Sequence, residues 1–153
     1  SANLSITTPQ TADRKALIGR ALRTAHYRVS CEDVRDFLGV MPDHHDFVAE
    51  AQQAAPPSFA PLVAGLGLLR TFDWGTDFWF DYRDGTAMFG EQSIQYHRPL
   101  YVGEEVEISA VISDVYEKTG QNTFDVVQLA FTIKGDWDGE ITMTGKQSYI
   151  LFK

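Results

Sequence analysis

The stretch Pro56 to Arg70, Pro-Pro-Ser-Phe-Ala-Pro-Leu-Val-Ala-Gly-Leu-Gly-Leu-Leu-Arg, constrains the fold more than any other. No charge occurs from Phe59 to Leu69, and apolar residues fall on every side of a 3.6-residue repeat. That is the pattern of a helix buried on all faces. Ser58 is expected as its N-cap, with Pro61 in the first turn, where a missing N–H removes no helical bond. Gly65 and Gly67 each cost about 1 kcal/mol against alanine in a helix interior. Either something passes close to that backbone, or the helix frays at Gly65. A buried helix in a strand-rich chain calls for a sheet wrapped around it.

The strands follow from residue 86 onward. Ala87–Leu100, Glu104–Glu117, Asn122–Lys134 and Glu140–Phe152 are four long β-type runs separated by short glycine-containing connections, as in antiparallel hairpins or a meander. Val106, Ile108, Ala110 and Ile112 alternate with polar residues, and Val127, Leu129, Phe131 and Ile133 share one face of the next run. An earlier strand is expected over Arg23–Val29, with Ala25, Tyr27 and Val29 on one side. The fold class is therefore α+β, an antiparallel sheet of about five strands around a central helix.

The remaining segments serve that frame. Residues 1–10 carry too few apolar side chains to pack and are expected to form a flexible N-terminal arm, leaving 11–153 as a single domain. Thr11 to Leu22 suits a short helical turn ending near Gly19. Ser30, with Asp33 three residues on, makes a capping-box start for a helix carrying Val34, Phe37 and Leu38 and ending at Gly39. Val40-Met41-Pro42-Asp43-His44-His45-Asp46 is a polar, proline-broken loop, and Asp43 or Asp46 is expected to cap a second short helix through Ala54. Thr71 to Tyr82, with Trp74 near its start, is rich in aromatics; it forms a lid over the core or a wall of an apolar ligand pocket.

Charge and cysteine content exclude several functions. A formal charge of −8 provides no cationic field for nucleic acid or an anionic membrane. Cys31 is the single cysteine, so no internal disulfide framework or cysteine-based metal site exists, and a reducing, cytoplasmic setting is the default expectation. The adjacent His44 and His45, flanked by acids, do not converge on one ion, so no metal is expected.

Three stretches carry a resemblance to a known family. Ala16-Leu17-Ile18-Gly19-Arg20 leading to His26-Tyr27-Arg28-Val29-Ser30 resembles the opening of MaoC-like dehydratases. Tyr96-His97-Arg98-Pro99-Leu100-Tyr101-Val102-Gly103-Glu104-Glu105-Val106 is similar to that family's strand, Arg-Pro, Pro-Gly-Asp turn and strand, with Val102 and Glu104 replacing Pro and Asp. Residues Glu91–Lys118 and the ending Ser148-Tyr149-Ile150-Leu151-Phe152 resemble hydratase subunits of bacterial steroid side-chain breakdown and mycobacterial hydroxyacyl dehydratase subunits.

The resemblance implies a hot-dog fold and an acyl-thioester site between two hot-dog units. It implies a CoA or carrier-protein thioester as substrate, with no other cofactor, and a homodimer or a heteromer with a catalytic hot-dog subunit. Active members hold one water on an Asp and a His before the central helix and polarise the thioester oxygen with an amide at the helix start. In this chain Phe37, Gly39, His45 and Ala51 match the family loop, but the Asp position is Val40, and the His-Gly opening the helix is replaced by Pro57-Ser58-Phe59-Ala60-Pro61.

The expectation is therefore a substrate-binding subunit of an enoyl-thioester hydratase or 3-hydroxyacyl dehydratase, part of a hydro-lyase, with a degenerate loop. Pro57, Ser58, Phe59, Ala60, Gly65, Gly67, Trp74 and Arg98 are its candidate substrate contacts. The rival is a self-sufficient homodimeric (R)-specific hydratase using His45 with Asp43 or Asp46, and a third possibility is a hot-dog ligand-binding protein without chemistry. A hot-dog thioesterase and a FabZ-like dehydratase are set aside, because residues 59–69 hold no acid and the His-Phe-Pro turn is missing.

Overall fold

A computed structural model of the chain describes residues 14–39, 53–71 and 87–152. Within them, a 3-10 turn at Lys15–Leu17 leads to strand β1 (Ala25–Arg28) and helix α1 (Cys31–Gly39). A second 3-10 turn, Pro57–Phe59, runs directly into the central helix α2 (Ala60–Leu69). Strands β2 (Ala87–Tyr96), β3 (Glu105–Thr119), β4 (Thr123–Gly135) and β5 (Ile141–Phe152) follow. The five strands form one antiparallel sheet in the order β1-β3-β4-β5-β2.

Alternation decides which sheet face meets the helix. Val106, Ile108, Ala110 and Ile112 of β3 and Val127, Leu129, Phe131 and Ile133 of β4 are all buried, as their period of two requires. Ala60, Val63, Ala64 and Leu68 press the helix onto that face.

The glycines make close contact possible. A Cβ on Gly65 would lie 3.0 Å from the Phe89 ring, and one on Gly67 would collide with Ile108. Tyr149 then reaches across the sheet, its hydroxyl donating to the Gly65 carbonyl at 2.7 Å. The helix continues through Gly65 without fraying, because the sheet occupies the volume the missing side chains leave.

Ser30 begins α1 as expected, its Oγ accepting the Asp33 N–H at 3.0 Å. The reciprocal half of the capping box is diverted, since the Asp33 carboxylate accepts the Tyr27 hydroxyl at 2.6 Å. Three other expectations fail. Ala54 is not helical but bridges Tyr101 in an extended pairing, because the segment is held by Ala55 N–H to Leu100 O and Val102 N–H to Gln53 O, both 2.7 Å. Ser58 does not cap the central helix, since winding begins one residue earlier at Pro57 and its hydroxyl makes no cap bond. Nor is the helix buried all round: Leu62 is 36% and Leu66 49% exposed.

Candidate functional site

The open side of the central helix forms one wall of a cleft. Leu62 and Leu66 lie one turn apart, with Phe59 and Val63 beside them, and Phe37 of α1 stands opposite, its ring edge-on to Phe59 at 5.4 Å. This open cleft offers about 570 Å³, within the range of small-molecule sites. Its floor is apolar.

The rim of this cleft is polar and ordered. Tyr27, Asp33, Asp36 and Arg70 also line it. Arg70 lies 5.5 Å above the Tyr27 ring, a cation–π distance, while Arg23 Nε donates to the Arg70 carbonyl at 3.1 Å. Burial, then the bond to Asp33, pushes the Tyr27 phenol well above its ordinary pKa. Tyr27 therefore stays a hydrogen-bond donor at neutral pH and cannot act as a base.

A smaller cleft of about 280 Å³ lies across the start of the helix, between Pro57 and Ala60 on one side and His97, Pro99 and Leu100 on the other. His97 is exposed, its Nε2 3.4 Å from Thr144 Oγ1. Few amides are available here to polarise an oxygen. Pro57 and Pro61 have no N–H, Phe59 donates to the Pro56 carbonyl at 2.9 Å, and Ala60 donates to Pro57. Among the described residues, Ser58 alone keeps a first-turn amide without a carbonyl partner.

Arg98 ties this region together. Its Nη1 and Nη2 donate to the two carboxylate oxygens of Glu104 at 2.9 and 2.6 Å, and Nη2 also reaches Asp138 at 2.9 Å. Glu104 is fully buried and accepts the Trp137 N–H at 3.2 Å as well. The guanidinium lies 5.3 Å over Tyr101, whose ring stacks on Trp137. The side chain clamps the β4–β5 hairpin to the turn that walls the smaller cleft.

A profile of the FAS1-like dehydratase domain region matches residues 16–144. The chain belongs to this dehydratase-region family. A UPF0336 protein of Cutibacterium acnes is 28% identical over 131 residues, spanning 83% of this chain and 88% of that protein.

Solved structures share the fold of this FAS1-like dehydratase region. The (3R)-hydroxyacyl-ACP dehydratase complex HadBC of Mycobacterium tuberculosis matches at 18% identity and TM-score 0.58, over 88% of this chain and 96% of that one. A MaoC-like dehydratase from Rhodospirillum rubrum matches at 12% and 0.60, over 89% and 92%. The R-hydratase PhaJ1 of Pseudomonas aeruginosa matches at 14% and 0.54, over 89% and 82%. The fold is the hot-dog, as the resemblance implied.

Placement of the candidate residues in this dehydratase region is uneven. Pro57, Ala60 and Arg98 line the smaller cleft, Phe59 and Gly67 border the larger, and Gly65 faces Phe89. Ser58 is exposed beside them. Val40, Asp43, His45, Asp46 and Trp74 lie outside the described residues. Among the described residues no cluster of three or more His, Cys, Asp or Glu is placed to hold a metal, and no helix is long and apolar enough to cross a membrane. Sequence reasoning missed Tyr27, Phe37, Leu62, Leu66 and Arg70 as cleft residues. The spacing 62, 66, 70 along one helical face was the available signal.

Proposed function

We propose that this chain is the acyl-thioester-binding subunit of a hot-dog enoyl-thioester hydratase or 3-hydroxyacyl dehydratase, with the catalytic Asp–His pair supplied by a second hot-dog chain. One observation carries the reading: an apolar cleft runs along the helix while the helix start is depleted of amide donors. Hydrophobic holding is built in, and oxyanion stabilisation is weak. The sequence agrees, with Val40 at the family's Asp position.

In the hydration direction, the partner's base takes a proton from water, the hydroxide oxygen bonds to the β-carbon, and a proton is delivered to the α-carbon as the double bond is lost. This chain's share is to bury the acyl group and fix the thioester at the helix start, so that the reacting carbons meet the partner's water. Fatty-acyl and steroid side-chain thioesters both suit an apolar cleft.

The test follows the loss of enoyl-thioester absorbance when the purified chain meets short and bulky enoyl-CoA substrates. Binding without absorbance loss is expected. Rapid loss that His45→Ala abolishes would replace this reading with a self-sufficient hydratase using His45 and Asp43 or Asp46. Absence of binding would leave a hot-dog scaffold without chemistry.

A further inference from the structure

The two edges of the sheet are built differently. On the β1 side the strand is four residues long, and the backbone before it continues the pairing: Gly19 N–H donates to Ile112 O at 2.8 Å, Ile112 N–H to Arg20 O at 2.9 Å and Leu22 N–H to Ala110 O at 3.0 Å. Arg28 and His26 lie 3.6 and 3.7 Å from Glu105 and Glu107 across that ladder. A short, charged edge resists a further strand.

The β2 edge has neither protection. It runs for ten residues at the end of the sheet order, and among the described residues no strand pairs with its outer side. Met88, Phe89 and Tyr96 are 46–55% exposed, and a long apolar edge is a template for another chain. It also borders the site. Phe89 packs on Gly65, and Gln92 Nε2 donates to the Pro61 carbonyl at 3.2 Å, so a strand added about 5 Å further out flanks the start of the central helix.

A bulge decides what fits there. The register jumps between Phe89 and Gln92, so Phe89 before it and Gln92 and Ile94 after it share the helix-facing side. Two copies paired antiparallel keep matching faces together along the strand when their two-fold passes between Gly90 and Glu91. Glu91, the single charged residue of β2, then lies beside Glu91 of the second copy, with Cα atoms about 6 Å apart. Among the described residues Glu91 has no ion pair to offset this. Adjacent carboxylates oppose self-pairing, whereas a facing lysine or arginine favours the ladder.

Resting on the reading above, in which a second hot-dog chain supplies the Asp–His pair, we infer that this chain seats that partner along β2 by antiparallel strand pairing, and that Glu91 selects a partner carrying a lysine or arginine at the facing position over a second copy of this chain.

Sedimentation velocity on the full chain tests the selection. Wild type should self-associate weakly, Glu91→Gln about threefold more tightly, and an equimolar mixture of wild type with Glu91→Lys roughly fivefold more tightly than either alone; about 0.5 M salt should erase these differences. Glu91→Cys in a Cys31→Ser background brings two thiols within disulfide reach across the two-fold and should give a covalent dimer on mild oxidation, while Glu107→Cys, on the β1 side, should not. Equal association of wild type, Glu91→Gln and the mixture would overturn the selection and make a second copy the partner. No association in any sample, or no cross-link in Glu91→Cys, would overturn pairing on β2. Calorimetry of the same wild-type sample with dodecanoyl-CoA reads the functional proposal separately: absence of binding there would overturn the thioester reading whatever the strand pairing shows.

Discussion

Arg98 and Glu104 form a two-pronged ion pair, 2.9 and 2.6 Å, in which the carboxylate is wholly buried and the guanidinium nearly so. The pair joins residues six apart across a turn whose Leu100 and Val102 hold the segment leading to the central helix. Glu104→Gln leaves the guanidinium only the exposed Asp138 as a charged partner and should cost about 3–5 kcal/mol. Denaturant titration measures it. A loss below about 1 kcal/mol would be the behaviour of an exposed pair and would remove the clamp from the account.

Asp138 links the clamp to pH. The Arg98 guanidinium, then the Glu140 N–H, holds its carboxyl below the ordinary carboxylate range. A lowered folded pKa adds stability that is present above the unfolded value, about 3.9, and is lost as pH falls through the folded one. Asp138→Asn should flatten the acid limb of the stability profile in that window. An unchanged limb would contradict the assignment.

Tyr149 sets the opposite limb. Burial raises its phenol pKa, so the neutral form belongs to the folded state. Its contribution is complete below the unfolded pKa of about 10 and is lost as pH rises above it. Tyr149→Phe should cost about 1 kcal/mol at neutral pH through the bond to Gly65 and should weaken the alkaline decline. Thermal melts at pH 7 and pH 11 separate the two effects.

Gly67→Ala should destabilise although alanine favours helix by about 1 kcal/mol. The new methyl collides with Ile108, and overpacking of this kind costs about 1–3 kcal/mol. Adding Ile108→Val should recover part of the loss. A stabilised Gly67→Ala would mean the helix can move off the sheet.

Val40→Asp restores an acid at the family's position. Detectable hydration of enoyl-CoA by this variant alone, abolished by His45→Ala, would support the proposed register of the degenerate loop. Activity that persists without His45 would contradict it.

Much of the fold was legible because it rests on local periodicity. The alternation in Val106–Ile112 and Val127–Ile133, the cap at Ser30 and the uncharged run from Phe59 to Leu69 each state a local preference that the fold keeps. The site was less legible because its members are distant in sequence. Tyr27, Phe37 and Arg70 carry no shared motif, and their meeting depends on how α1 crosses the central helix.

By itself the sequence determined a glycine-bearing apolar helix enclosed by an antiparallel sheet, since hydrophobic period and turn residues act over a few positions. Only the tertiary structure decided which helical face stayed open. Gly65 and Gly67 bring one side against Phe89 and Ile108, and a helix against a single sheet must leave its opposite side, Leu62 and Leu66, for something else to cover. It also decided that Arg98 serves Glu104, because an ion pair's worth depends on burial, which no spacing along the chain reveals.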